Sequence, residues 1–392
     1  MTMRGTSVLT ILAILAAATN VLASEGMEQR LKVEQAEREL QDTDPVVLFN
    51  AFVDRHGKVY ESEAEKARRY GIFRENLDKV KALNERREGD NDAVFGVSGP
   101  FSDMTAGEFK SKVLMKNLFE GEKPKPTHEL EVSADVEDVP AEFDWTSHGA
   151  VTRVKQQGAV GTCWAFSAVG NIEGQLALSG GKLEDLAVEQ VVDCDGTMFP
   201  KNDTGDCGLH GGYPAYAYDY VLRQGGIETD KDYPYCIGDL SCLPCPPSGS
   251  NATICGHGDC NKKDNCHFDD SKVATKLAGW AELAPGKNET IMTAQLYQQG
   301  PISIAIDART LQFYMFGIVS PLFCSSNPNE ADHAVLVTGY GTQKDVLGQE
   351  TPFWDVKNSW GVLFGFDGYF KLRRFSNTCG VANFATTALI NH

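Results

Sequence analysis

The stretch QQGAVGTCWAFSAVGNIEG, residues 156–174, carries a cysteine at the point where a helical pattern begins. The apolar residues that follow recur at helical spacing and so share one face: Phe166, Val169, Ile172 and Leu176. A thiol at a helix N-terminus feels the partial positive charge of unpaired N–H groups, which lowers its pKa. The stretch therefore predicts a helix that begins with an activated thiol at Cys163; the alternative is a cysteine that is merely buried or paired.

The segment Q-x5-C-W-A-F-S resembles the papain family of cysteine proteases, close to its cathepsin L-like branch. Two further motifs follow in the family's order, DHAVLVTGYG at residues 332–341 and KNSWG at residues 357–361. The resemblance covers the chain from about residue 46 to residue 392. It implies an α+β fold of two lobes, a helical left lobe and a β-barrel-like right lobe, preceded by a helical prodomain. The runs PISIAID, HAVLVTGYG, FWDVKNSW and GYFKLRR have the composition of strands and agree with a β-rich second lobe.

The resemblance implies a role for each of four polar residues. Cys163 falls on the nucleophile, His333 on the general base, Asn358 on the residue that orients the imidazole, and Gln157 on the oxyanion-hole glutamine. A thiolate beside an imidazolium is a strong nucleophile, and an amide N–H stabilises the oxyanion of a tetrahedral intermediate. Trp360 resembles the indole that shields the Asn–His hydrogen bond from water. Taken singly, each residue also fits an ordinary structural place, and only the set favours catalysis.

The same resemblance assigns a substrate cleft. Its expected residues comprise a glycine pair for the peptide backbone and the walls and base of the S2 pocket: Gly211, Gly212, Tyr213, Pro214, Ala305, Ala334 and Phe384. Phe384 stands where the cathepsin L branch often has a small residue; the alternative is that its ring turns into the core. An uncharged, partly filled S2 pocket predicts a preference for modest aliphatic side chains at P2.

Two departures from the family pattern affect packing near the cleft. Val160 and Leu209 replace a pair of cysteines, and a coupled apolar replacement predicts a hydrophobic contact in place of a disulfide. Phe364 replaces a tryptophan and Phe366 an acid in WGVLFGFDGY, which leaves the local packing on the primed side open.

Residues 24–138 are expected to form the family's propeptide. The pattern places six residues on one helix face: Glu65, Arg69, Phe73, Asn76, Val80 and Asn84. FSDMT at residues 101–105 resembles the second prosegment motif. We expect a helical inhibitor domain at about residues 46–112, an extended linker at 113–138 rich in Glu, Lys and Pro, and a mature protease domain at 139–392. Acid is expected to protonate carboxylates in the contact and speed activation.

Residues 1–23 read as a secretory signal peptide, with Arg4, an apolar run and small residues before the cut; the alternative is an uncleaved anchor.

The net charge of −18 argues against nucleic-acid and anionic-membrane partners. We expect a monomer that acts on protein and peptide substrates, takes no cofactor or metal, and resides in a lysosome or other acidic vesicle, or is secreted. Its sequons predict glycosylation at Asn202, Asn251 and Asn288.

All eleven cysteines lie beyond residue 160, and an odd number leaves one thiol unpaired. The resemblance implies the pairs Cys194–Cys266 and Cys324–Cys379 and leaves six cysteines unassigned. Five of these six lie in an insertion at residues 236–265, where disulfides in a secretory chain are favoured over zinc.

The sequence therefore predicts a papain-like cysteine endopeptidase made as a secretory zymogen. One alternative is an exopeptidase shaped by the insertion, which follows YPY where cathepsin B-like relatives carry a blocking loop with two histidines; this insertion has only His257. Another is a catalytically silent binding homologue, although such relatives usually lose the nucleophile.

Overall fold

The computed structural model describes residues 27–115 except 29 and 39, and residues 124–130, 139–195, 208–239 and 266–390. The predicted signal peptide, most of the linker, most of the cysteine-rich insertion, Asn202 and Asn251 lie outside the described residues. Among the described residues, no helix is both long and apolar enough to cross a bilayer.

The N-terminal segment is helical. The helices are α1 at residues 27–28, 30–38 and 40–42, α2 at Pro45–His56, α3 at Glu63–Asn84 and α4 at Ala106–Lys112, and the strand β1 at Val94–Phe95 precedes α4. Helix α4 begins with a complete capping box, in which the Thr105 side chain and the Glu108 carboxylate each accept from the other's backbone N–H. These local signals explain why a charged sequence forms ordered helices here.

Helix α3 carries the six residues of the prosegment pattern, and their contacts tie the segment together. Arg69 bonds to Glu65 at 2.7 Å and to Glu108 at 3.1 Å. The Asn76 amide donates to the carbonyls of Ser102 and Met104 at 2.9 and 2.8 Å. Asn84 donates to and accepts from the backbone of Phe95, at 2.9 Å each way, while Phe73 and Val80 are buried. The residues at this spacing therefore bind the loops that follow α3 to one face of that helix.

The first lobe of the protease region is mainly helical. It contains α5 at Cys163–Leu178, α6 at Val188–Cys194 and α7 at Pro214–Gln224, with a small sheet of β3 at Ile227–Glu228 and β4 at Val273–Thr275. Helix α5 is buried from Cys163 to Gly174, all the way round, because α6 and α7 cover one side and the sheet of the second lobe covers the other.

The second lobe is built on an eight-stranded sheet. Its strands are β2 at Phe143–Asp144, β5 at Gly279–Glu282, β6 at Ile302–Ile306, β8 at Ile318–Val319, β9 at His333–Lys344, β10 at Glu350–Lys357, β11 at Tyr369–Arg373 and β12 at Thr386–Leu389. The order is β5-β12-β6-β9-β10-β11-β8, with β2 paired to β9, so the described strands form an open sheet, not a closed barrel. The four runs predicted as strands are β6, β9, β10 and β11. Helix α8, at Glu289–Gln299, packs on β9.

The prosegment adds a strand to the protease. Strand β7, at Tyr314–Phe316, pairs with β1 in a separate two-stranded antiparallel sheet. One apolar core runs continuously from α2 and α3 through this pairing into the second lobe, while a second core fills the helical lobe. The prosegment is therefore part of the folded unit.

Three of the four residues that depart from the family pattern pack against apolar neighbours, and one is exposed. Val160 is buried in the helical-lobe core, Leu209 packs against the same core, and the Leu209 carbonyl accepts from Gly161 at 2.7 Å. Phe364 is fully buried with its ring edge-on to Trp360 at 4.8 Å, whereas Phe366 is 67% exposed.

Two disulfides lie in the described residues, Cys194–Cys266 with an S–S distance of 2.03 Å and Cys324–Cys379 with 2.01 Å. They are the two pairs that the family resemblance implied. Cys236 is also disulfide-bonded, and the other cysteines of the insertion lie outside the described residues. Within the part of the chain that the structure describes, no group of His, Cys, Asp and Glu side chains could hold a metal ion.

Candidate active site

Cys163 is the first residue of α5 and the one free cysteine among the described residues. The N-cap residue, Thr162, makes no side-chain bond to the first turn, and the backbone groups of Ala334, Trp164 and Cys163 hydrogen-bond to the thiol. The thiol is fully buried, and burial raises its pKa to about 12, against backbone hydrogen bonds that lower it. In this state of the chain the sulfur is therefore a neutral thiol.

His333 opens β9 and Asn358 directly follows β10, and the pairing of these two strands brings the residues together. The His333 Nε2 lies 2.8 Å from Asn358 Oδ1, which also accepts from the backbone N–H of Ser359 at 2.8 Å. Because Oδ1 can only accept, Nε2 carries the proton and Nδ1 is left as the basic nitrogen.

The environment of His333 holds its ring neutral. Trp360 stacks on the imidazole with ring centroids 4.5 Å apart and an interplanar angle of 26°. Burial lowers the pKa of His333 to about 4, although the hydrogen bond to Asn358 raises it. The Nδ1 atom is buried and has no hydrogen-bond partner among the described residues. The ring is thus fixed by Asn358 and Trp360 while its basic nitrogen is unused.

Gln157 is held with its amide N–H groups in a defined direction. Its Oε1 accepts from the Ser359 hydroxyl at 2.6 Å, and its backbone N–H donates to the Ser359 carbonyl at 2.8 Å. Its Nε2 donates to the carbonyl of Val160 at 2.7 Å and to the carbonyl of Val113 at 3.0 Å. The predicted oxyanion donor is therefore bonded to a backbone carbonyl of the N-terminal segment.

The chain that follows α4 covers this group of residues. Val113, Leu114 and Met115 are at most 2% exposed, and the Met115 N–H donates to the Asp332 carbonyl at 2.7 Å. Met115 belongs to the same apolar core as Cys163. We call residues 113–115 the blocking segment.

Two aromatic rings of the N-terminal segment cover the other side of the site. Phe101 and Phe109 meet Trp360 edge-on at 5.4 and 5.5 Å. Trp360 is consequently fully buried between these rings, His333 and Phe364.

The expected S2 residues meet at one place. Ala305 and Ala334 are directly opposed on β6 and β9, and the Tyr213 and Phe384 rings lie edge-on at 6.1 Å. All four belong to the buried core that contains Cys163 and Met115, and Phe384 is 5% exposed. Pro214 begins α7, and Gly211 and Gly212 lie just before it. Gly211 has a φ of 130°, a conformation that favours glycine.

Sequence reasoning missed two residues that position the site. Ser359 holds both the amide of Gln157 and the Oδ1 of Asn358, and its place within KNSWG was the available signal. Tyr235 donates to the Gln157 carbonyl at 2.8 Å, and the Thr162 hydroxyl lies 2.8 Å from the same phenol oxygen. Tyr235 lies at the root of the insertion and so links it to the backbone of the oxyanion donor.

Models of two protein families match the chain. The model of the papain family cysteine proteases matches residues 139–389, and the model of the cathepsin propeptide inhibitor domain matches residues 49–109. Cysteine proteinase 1 of Dictyostelium discoideum is 35% identical over 345 residues, which are 87% of this chain and 92% of that protein. Cathepsin F of Drosophila melanogaster is 37% identical over 88% of this chain, but the match spans 50% of that protein.

A solved structure shares the fold over nearly the whole chain. Digestive procathepsin L 3 from the larval midgut of Tenebrio molitor has a TM-score of 0.69 and 29% identity, covering 89% of this chain and 100% of that one. With the family model covering the whole second part of the chain, these findings show that the chain belongs to the papain family of cysteine proteases and carries a cathepsin-type propeptide inhibitor domain.

Proposed function

We propose that the chain is the secretory zymogen of a cysteine endopeptidase, with Cys163 as nucleophile and His333 as base. The observation that carries the proposal is the bond from Gln157 Nε2 to the Val113 carbonyl, because a substrate carbonyl needs the same donor. The blocking segment thus occupies the donor that a substrate carbonyl would need. Residues 24–138 would be removed, leaving residues 139–392 as the mature enzyme.

The residues support one order of chemical steps. The Cys163 thiol passes its proton to His333 Nδ1, and the sulfur attacks the peptide carbonyl carbon. The carbonyl oxygen then becomes negatively charged near Gln157 Nε2 and the backbone N–H of Cys163. His333 then gives its proton to the leaving amine, so the C–N bond breaks and a thioester remains. Water, losing a proton to His333, hydrolyses the thioester and restores the thiol. Asn358 keeps the imidazole oriented throughout.

On this proposal, the zymogen is inactive for an electrostatic reason as well as a steric one. Burial is the largest cause of both pKa shifts, the upward one of the Cys163 thiol and the downward one of the His333 imidazole. Both shifts favour the neutral pair over the thiolate–imidazolium pair. Departure of the blocking segment would readmit water, lower the thiol pKa and raise the imidazole pKa. The charged, reactive pair would then form.

Labelling with an epoxide probe selective for activated cysteines tests the proposal. We expect no labelling of the zymogen and stoichiometric labelling at Cys163 after acid treatment, together with hydrolysis of internal peptide bonds. Release of dipeptides from the C-terminus alone would favour the exopeptidase instead. A processed, folded protein that fails to label would favour the silent homologue.

Two features support a secretory route that ends in an acidic vesicle or outside the cell. The described disulfides form in oxidising compartments. Asn288 is exposed at the N-cap of α8 and stays a proposed glycosylation site.

The first prediction from this function concerns acid activation and His56. The His56 Nε2 lies 2.8 Å from the Ser98 carbonyl, with Lys58, Arg55 and Asp103 as the charged groups around it. Burial lowers its pKa, with the two cations acting in the same direction and the Ser98 bond and Asp103 opposing. An unfolded prosegment therefore binds more protons than the folded one below a pH of about 6.5, so its stability falls as pH drops through that value.

We expect His56→Gln, which keeps a donor for the Ser98 carbonyl but does not titrate, to shift the pH midpoint of self-processing downward by roughly half a unit. Processing followed by gel electrophoresis across pH 4–7 measures the midpoint. His128→Gln, at an exposed histidine of the prosegment tail, is the matched control. Identical midpoints for all three proteins would contradict the prediction.

The carboxylates of the prosegment act in a lower pH range. The bonds from Arg68 and Arg69 hold the pKa of Glu65 at about 2. A depressed carboxylate stabilises the fold above its unfolded pKa and loses that effect only as pH falls towards the folded value. The expectation that carboxylate protonation drives activation therefore does not extend to Glu65 at mildly acidic pH.

The second prediction concerns the S2 pocket. Because Phe384 and Tyr213 fill it with uncharged rings, turnover should be best with P2 Val or Leu and poorest with P2 Arg. Phe384→Ala should raise kcat/KM for P2 Phe by about tenfold relative to P2 Val, since it opens space of ring size. A panel of fluorogenic substrates measures both. Best turnover with P2 Arg, or an unchanged Phe/Val ratio in the variant, would exclude Phe384 from the pocket.

A further inference from the structure

Strand β7 and the first residue of β8 hold the prosegment by backbone pairing outside the catalytic cleft. The Ala93 N–H donates to the Ile318 carbonyl at 2.9 Å, and the Ile318 N–H donates to the Asn91 carbonyl at 2.8 Å. The Gly96 N–H donates to the Phe313 carbonyl at 2.8 Å. An extended segment is thus added to a protease strand, which is the mode of recognition called β-augmentation.

Protease side chains beside this backbone pairing also bind the polar side chains of the prosegment. The Asn91 amide donates to the Gln343 carbonyl and to the Thr351 hydroxyl, both at 3.2 Å, and its oxygen accepts from the Gln343 amide at 3.0 Å. Arg373 bonds to the Asp92 carboxylate at 2.7 Å. These contacts recognise an Asn-Asp pair.

Apolar contacts continue the recognition along the strand. Val94 and Phe95 are fully buried; the Phe95 ring meets Phe323 at 4.9 Å, and Val94 packs with Phe316. We call the protease side of this contact, residues 313–318 with Phe323, Gln343, Thr351 and Arg373, the β7 surface.

The β7 surface lies close to the catalytic site. Ring contacts lead from His333 to Trp360 at 4.5 Å, to Phe364 at 4.8 Å and to Tyr314 of β7 at 5.9 Å. A groove of about 280 Å³ beside β7 is lined by Met315, Phe316, Leu363 and Phe366 together with prosegment residues. Three successive ring contacts therefore join the His333 imidazole to β7 through the core of the second lobe.

We propose that, in the processed enzyme, the β7 surface binds an extended segment of protein substrates with the pattern Asn-Asp-x-apolar-aromatic. The inference rests on removal of the prosegment as proposed above. That removal leaves a strand edge and the Arg373 guanidinium without their partners, and such an edge is a template for another extended chain. In the zymogen the β7 surface binds an amide, a carboxylate and two apolar side chains, in that order along the segment. A substrate segment that carries the same side chains in the same order should therefore fit the surface best.

Two substrates test the inference on purified mature enzyme. The first is a short fluorogenic peptide that spans only the cleft, and the second carries the same cleavage site followed by a flexible linker and Asn-Asp-Ala-Val-Phe. We expect the second to have a KM lower by roughly tenfold, because binding at the second site raises the effective concentration at the first, with little change in kcat. A scrambled tail should give the KM of the short peptide.

Variants separate this surface from general effects. Arg373→Ala should remove most of the advantage of the tailed substrate and leave the short one unchanged. Lys344→Ala, which deletes a neighbouring charge paired with Glu350, should change neither. Equal KM values for tailed, scrambled and short substrates, or a prosegment fragment that stays bound to the mature enzyme in equal amount by mass spectrometry, would overturn the inference. Failure to cleave any of these substrates would instead overturn the proposed function.

Discussion

Replacing Cys163 by serine should lower kcat/KM by at least about 10⁴-fold and abolish epoxide labelling. A hydroxyl has a far higher pKa than a thiol, so the imidazole of His333 cannot hold it as the anion. Cys163 is the only free cysteine among the described residues, so no neighbouring thiol there can substitute for it. Hydrolysis assays on the variant after it has been processed in trans and the wild-type enzyme removed, with mass spectrometry of the labelled peptide, give the measurement.

The same variant separates a catalytic defect from a folding defect. Cys163→Ser should accumulate as an unprocessed chain, because it cannot cleave its own prosegment. A trace of active wild-type enzyme should then convert it to residues of about 139–392, which requires a folded precursor. A variant that processes itself at the wild-type rate would exclude Cys163 as the nucleophile.

Removing the Gln157 amide should lower kcat by about 10²–10³-fold, with a much smaller effect on KM. The amide N–H stabilises charge that develops on the carbonyl oxygen only after the thiolate attacks, so its loss is felt in the transition state. Gln157→Ala also strips the Ser359 hydroxyl of its acceptor. Gln157→Glu, assayed near neutral pH, keeps that acceptor, loses the N–H donors and adds a negative charge beside the oxyanion, so it should show at least the same loss of kcat.

Gln156→Ala is the matched control, since the neighbouring side chain is exposed. Its kcat should equal that of wild type. Steady-state kinetics on the mature enzymes measure these effects. An unchanged kcat in Gln157→Glu would show that Gln157 is not the oxyanion donor. The zymogen provides a second readout, because both Gln157 variants lose the bond to the Val113 carbonyl and should expose the cleft to slow substrate leakage.

Local sequence patterns were sufficient to predict those elements whose defining residues all lie in one segment of the chain. The apolar face after Cys163 predicted α5, and the spacing of Glu65, Arg69 and Asn76 predicted one face of α3. Helical and strand periodicities reflect which side of an element is buried, so they can be read without knowing the partner. Resemblance then supplied the long-range pairs, including both disulfides of the described residues.

Other features depended on contacts that no local pattern encodes. The predicted barrel-like lobe is an open sheet in which β12 lies between β5 and β6, and strand order is set by packing of the whole chain. The contact between the Gln157 amide and the Val113 carbonyl involves a backbone group, which leaves no mark on residue type. Tyr235 reaches the Gln157 carbonyl from the root of the cysteine-rich insertion, a contact that no motif in the sequence indicates.

The sequence by itself determined the chemical types available, a thiol, an imidazole and two amides in a fixed order, and the helix that begins at Cys163. Only the tertiary structure decided their state, since burial beneath the blocking segment raises the thiol pKa and lowers the imidazole pKa. The reason is physical: the free energy of a charge depends on the solvent and dipoles around it, and those come from residues far away along the chain.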